Sequence, residues 1–201
     1  HLSSPGFNIY LPDFDLLPIF NAILESGCNR VIRLGVANPI LGGSNAYLHP
    51  KYYRFVGQKI ASYAQLAEEV GVHFEFDCGF VRCMFEDNEL ESLAAGGTHP
   101  QFVCSPILDL DLGDQVFYCF SLANHFIIKS TPEMDAAAMR KALAERSQYF
   151  RAAGVYPTCS SCEHKQRNEC SGGCLAMTMR RFHQPAFDPD HKAVPFINER
   201  K

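Results

Sequence analysis

The sequence predicts an α/β protein in two parts. Residues 1–85 read as a partial parallel (β/α) barrel fragment, and residues 86–201 as a small cysteine-rich α+β extension with a β-hairpin. Three observations predict this. Strand-length apolar runs alternate with helical patterns up to Asp77, the alternation stops after Cys83, and four of the nine cysteines then crowd into Cys159–Cys174.

In the first part, Phe7-Asn-Ile-Tyr10 has the composition of a short strand. Pro12-Asp13 opens a helix in which Leu16, Leu17, Phe20, Ile23 and Leu24 recur at helical spacing until Gly27 closes it. Val31–Ala37 is a nearly continuous apolar run, as strands buried on both faces are. A Gly42-Gly43 loop leads to a second helical stripe, Val56, Ile60, Tyr63, Ala67 and Val70, ended by Gly71. Val72–Asp77 is the third strand. Strands separated by helices imply parallel pairing through crossovers, and three strands are too few to close a barrel.

Strand alternation sets a second face. With Ile32, Leu34, Val36, Phe74 and Phe76 turned toward helices, Asn8, Arg33 and Glu75 point the other way. A polar inner face makes a poor core and a good ligand-binding lumen; the plainer alternative is an Arg33–Glu75 ion pair at the end of the sheet.

In the second part, Glu86–His99 is polar and reads as a linker. Ile107–Leu112 and Gln115–Cys119 form a hairpin turning at Gly113-Asp114. Thr131-Pro132 caps a helix running to about Ala153, with Met139, Leu143 and Phe150 as its buried stripe and Gly154 as its stop.

The totals exclude several classes. A net charge of -4 and 47% hydrophobic residues describe a globular chain without a general nucleic-acid or anionic-membrane surface. No apolar run approaches the roughly 20 residues of a membrane span. His1-Leu-Ser-Ser-Pro lacks the basic start and apolar middle of a signal peptide, and the missing Met suggests a trimmed or partial chain.

Cysteine is the chemical signal. The segment Cys159-Ser-Ser-Cys-Glu-His-Lys-Gln-Arg-Asn-Glu-Cys-Ser-Gly-Gly-Cys174 has the spacing C-x2-C-x7-C-x3-C. A disulfide framework, a zinc knuckle and an iron–sulfur site can all be written this way. Clustered thiols in a long chain without a secretion signal favour a reducing compartment and metal. Short spacings let one loop present several thiolates, and Gly172-Gly173 lets the backbone turn its amides toward sulfur. Cys28, between helix and strand, reads as a structural thiol. Cys78, at the C-terminal end of a strand where barrel enzymes place their chemistry, reads as a ligand, a catalytic thiol or an inert one. His164, His183 and His191 read as surface residues, with His183 an outside candidate ligand.

Cys104, Gly113 and Cys119, followed by a helix and the quartet, resemble the SPASM extension of radical S-adenosylmethionine enzymes. The hairpin Leu110–Cys119 is similar to the strand pair of that extension, and the strand–helix repeats before it resemble the last part of the radical SAM partial barrel. The family pattern is C-x(9–15)-G-x4-C, a gap, C-x2-C-x5-C-x3-C, a gap and a final Cys. This chain has x8 and x5 in the hairpin, x7 in the quartet and no cysteine after Cys174. The C-x3-C-x2-C motif that holds the SAM-cleaving cluster is absent from it; its place in the family is the first barrel strand.

The resemblance implies the C-terminal part of a cytoplasmic, oxygen-sensitive enzyme that modifies peptides or proteins. SAM is bound by the full-length protein, with Asn8, Arg33 and Glu75 as contacts, and this part alone catalyses nothing. One or two auxiliary 4Fe–4S clusters take ligands from Cys78, Cys83, Cys104, Cys119, Cys159, Cys162, Cys170 and Cys174. In the family the hairpin cysteines join the last quartet cysteine. Carried over, Cys104, Cys119 and Cys174 share one site, which Cys83 or Cys78 completes, while Cys159, Cys162 and Cys170 share the other. A local partition is the alternative: the quartet on one metal, and Cys78, Cys83, Cys104 and Cys119 on another. A different class of function also remains: a non-catalytic zinc-binding interaction module.

Overall fold

The computed structural model describes residues 3–183. The chain divides into two compact units. Residues 3–37 and 47–102 form the first; residues 38–46 and 103–183 form the second.

The first unit is built on a three-stranded parallel sheet in the order β1 (Gly6–Ile9), β2 (Val31–Val36), β3 (His73–Phe76). Phe7 lies opposite Leu34 and Ile32 opposite Phe74. Three helices occupy the crossovers: α1 (Leu17–Ser26), α2 (Tyr53–Ser62) and α3 (Ala64–Val70). The buried face follows the alternation, since Ile32, Leu34, Val36 and Phe74 are shielded together with Phe20, Val56 and Ile60. Phe20 of α1 meets Phe74 edge-on, with ring centroids 6.1 Å apart. The sheet is mixed into an α/β unit and is not closed into a barrel among the described residues.

Three boundaries differ from expectation, each for a local reason. Helix α1 begins at Leu17 and not at Pro12, because the Asp15 carboxylate accepts the Leu17 N–H at 2.9 Å and holds the preceding turn apart. The long second stripe breaks at Tyr63, whose hydroxyl donates to Asp15 at 2.9 Å and accepts from Leu16 N–H at 3.3 Å. The stretch read as a linker holds a helix, α4 (Asp87–Ala95). Glu86 and Glu89 form a reciprocal capping box there, and Leu93 is buried. Arg54 of α2 fixes α4 with two hydrogen bonds to Glu89, of 2.8 and 2.9 Å, and a 2.7 Å ion pair to Glu86. Close backbone approach also requires Gly57 in α2, because a Cβ there would lie 1.9 Å from the Met84 carbonyl oxygen.

The second unit has an antiparallel sheet, β4 (Leu108–Leu110), β5 (Gln115–Tyr118) and β6 (Ile128–Lys129). The predicted hairpin is β4–β5. Its turn is held by Asp111, whose carboxylate accepts the N–H groups of Gly113 and Gln115 at 2.8 and 2.9 Å. Strand β6, two residues long, is too short to leave a pattern. Helix α5 (Ala136–Ala153) starts a turn later than Thr131, because Asp135 is its cap and accepts the Ala138 N–H at 2.7 Å. The quartet then runs through a 3-10 turn (Pro157–Ser161), the short helix α6 (Glu163–Gln166) and an irregular loop into α7 (Leu175–His183). Val116, Tyr118, Leu122, Leu143, Leu175 and Met179 form the core of this unit, and Leu41 joins them from the inserted segment. No helix among the described residues is long and apolar enough to cross a membrane.

Candidate metal centre

Six of the eight predicted ligands lie in the second unit. Cys104 precedes β4, and its N–H donates to the Ser171 hydroxyl at 2.8 Å, so the hairpin entry is tied to the quartet loop. Cys119 ends β5 with φ +43°, in the left-handed region that a non-glycine residue occupies at a cost of roughly 1–3 kcal/mol. Cys174 stands just before α7 and accepts hydrogen bonds from the N–H groups of Ala176 and Met177. Burial pushes its thiol pKa up to about 12, and the neighbouring Cys104 and Cys119 thiols push in the same direction, against the two amides. Cys119 and Cys174 both pack against the core of this unit.

Cys159 and Cys170 are buried, while Cys162 is partly exposed. The Cys170 sulfur accepts the Gly172 N–H at 3.3 Å. Gly154, at φ +75°, leaves room for Cys159: a Cβ on it would lie 2.5 Å from the Cys159 Cβ and 2.9 Å from its sulfur. The quartet loop therefore packs its thiols against the end of α5.

Sequence reasoning missed Arg151, on the last turn of α5. Its Nη2 donates to the Cys104 sulfur at 3.3 Å, and its Nη1 is buried without a hydrogen-bond partner among the described residues. In the sequence such a residue reads only as a cation complementing a helix C-terminus. Ser171 was missed too, because a serine inside a cysteine loop carries no signal of its partner.

In the first unit, Cys78 and Cys83 are both exposed. Cys78 follows β3, and its carbonyl accepts the Val36 N–H at 3.1 Å. Cys83 lies in the 3-10 turn Arg82–Met84. Arg33 and Glu75 line a cleft of about 420 Å³ with Asp77, His73 and His99. The ion pair there is real but shared. Arg33 Nη2 lies 3.1 Å from Asp77, and its Nε lies 3.9 Å from Glu75, with all three side chains more than half exposed. Asn8 is on the same face of the sheet, over Gly35.

Among the described residues, no three His, Cys, Asp or Glu side chains come together as a group that could hold a metal ion. All nine cysteines are free thiols. The side chain of His183, and the whole of His191, lie outside the described residues. The second unit supplies elements that a thiolate ligand set uses. It offers sulfurs that accept backbone amides, a glycine that makes room for one of them, and a buried guanidinium with one arm on a cysteine and the other unpartnered.

Comparison with protein-family models, with curated proteins and with solved structures returns no match.

Proposed function

We propose that this chain is the C-terminal part of a radical SAM/SPASM enzyme, whose second unit holds auxiliary 4Fe–4S clusters for substrate anchoring or electron relay in peptide or protein modification. The supporting observation is that Cys119 and Cys174 pack against the same core while Cys104 is tied to the quartet loop through the Ser171 hydroxyl. That trio is the interleaved set the SPASM resemblance implies, and nothing in the linear spacing of the quartet alone selects it. Cys159, Cys162 and Cys170 form the second set. A cluster bound by either set supplies one-electron transfer. The protein's part is to present thiolates, aim amides at Cys170 and Cys174, and hold a positive charge beside Cys104.

The polar face of Asn8, Arg33 and Glu75 belongs to the same reading as a SAM or substrate contact in the full-length enzyme. There, Arg33→Ala weakens SAM binding and leaves iron content unchanged; unchanged SAM affinity reduces Arg33 to its ion pairs.

Metal content tests the function. Anaerobically reconstituted protein is expected to be brown, to absorb near about 400 nm and to carry iron with acid-labile sulfide. A colourless preparation that takes up stoichiometric zinc under the same reducing conditions rejects the cluster reading and leaves a zinc-folded interaction module.

A further inference from the structure

The second unit carries a cleft of about 330 Å³ beside the quartet, between the last turns of α5 and the loop after α6. Gln148, Arg151, Lys165, Asn168, Cys170 and Ser171 line it, and no carboxylate does among the described residues. In a chain of net charge -4, this is a local excess of two positive charges. Both cations are held in place. Lys165 Nζ donates to the Ala152 carbonyl at 2.9 Å, and its stem runs close over Gly172. Arg151 is anchored on the Cys104 sulfur at 3.3 Å. The acids of the same loop are engaged elsewhere, Glu163 with Arg167 at 3.1 Å and Glu169 with His164 at 2.7 Å.

We infer that this cleft binds the carboxylate of an acidic ligand, with Lys165, Asn168, Gln148 and Ser171 as direct donors and Arg151 supplying positive potential from beneath. Lysine ammonium keeps further donors after one carbonyl contact, and side-chain amides and a hydroxyl complete a carboxylate's acceptor sites. The cleft walls exclude bulk water on one side, which strengthens such contacts over those on an open surface. Cys170 and Ser171 put the bound anion next to the thiol sets, so the ligand sits where a substrate of the auxiliary site would. Naming it a substrate rests on the function proposed above; the binding itself does not.

Calorimetric titration of the anaerobically reconstituted chain with N-acetyl-glutamate α-amide, whose only carboxylate is on the side chain, and with N-acetyl-glutamine α-amide, which has none, tests this. The acid is expected to bind at least about tenfold more tightly than the amide, and Lys165→Met and Arg151→Lys to weaken the acid by about fivefold or more and by less than about threefold, respectively. Circular dichroism and iron content are read on every sample. Equal affinity for the two probes, or unchanged affinity in a folded Lys165→Met protein, overturns the inference. So does tighter binding of inorganic phosphate than of the acid, which assigns the cleft to a different oxyanion. Acid-selective binding in a wild-type sample without iron rejects the cluster and keeps the cleft; an iron-loaded sample without selectivity rejects the cleft alone.

Discussion

Cys119 holds its backbone at φ +43°, where a side chain is strained, yet glycine would rest there at little cost. Cys119→Gly is therefore expected to raise the unfolding free energy of the metal-free chain by about 1 kcal/mol while removing the proposed ligand, whereas Cys119→Ser removes that thiol without the gain. Urea denaturation of the two apo variants separates them; equal stabilities mean that the angle stores nothing. Cys174 makes a second residue-scale prediction. The residue keeps some exposed surface, but desolvation of its sulfur pushes the thiol pKa up to about 12, so in metal-free protein at pH 8 it is protonated and a poor nucleophile. Mass spectrometry after brief alkylation should find the exposed Cys78 and Cys83 modified well before it; early labelling of Cys174 would contradict the raised pKa. The sequence made the thiols legible as a group through spacing. It hid Arg151, because a guanidinium forty-seven positions from its sulfur partner leaves no local pattern.

Helix α4 shows what a polar stretch conceals. Its charged residues suggested a linker, but Glu86 and Glu89 are the two halves of a capping box, and Arg54 binds both carboxylates. Burial alone would raise the Glu89 pKa, but the Arg54 hydrogen bonds and the Glu86 N–H outweigh it and hold the carboxyl below its usual value. A depressed carboxyl stabilises above its unfolded value of 4.5 and loses that contribution as pH falls through the folded value. The thermal midpoint should therefore drop on acidification below about pH 4.5, and Glu89→Gln should cost about 1 kcal/mol at pH 7 and flatten that acid limb. An unchanged acid limb in the variant would remove Glu89 from the account. Gly57→Ala should be harsher, about 3 kcal/mol, because the backbone carbonyl of Met84 cannot step aside as a side chain could; a loss below about 1 kcal/mol would mean that α2 slides freely. The parallel order β1-β2-β3 was legible because apolar runs and helical stripes repeat. Strand β6 and the break at Tyr63 were not, since each depends on partners distant in sequence.

Taken whole, the molecule pairs an α/β unit bearing a polar sheet face with a cysteine-rich unit whose thiols come from a hairpin, a loop and the start of a helix. The division after Phe102 and the exchange of residues 38–46 into the second unit had no sequence signature. The central claim is the interleaved assignment of thiols to clusters. Mössbauer spectroscopy with iron and sulfide analysis of anaerobically reconstituted wild-type, Cys174→Ser and Cys159→Ser proteins tests it most directly. If the sets are Cys104, Cys119 and Cys174 against Cys159, Cys162 and Cys170, each variant loses or alters one cluster's signal, about four iron ions' worth, and the two lose different ones. The same cluster lost in both variants would contradict the account, as would zinc in place of iron throughout.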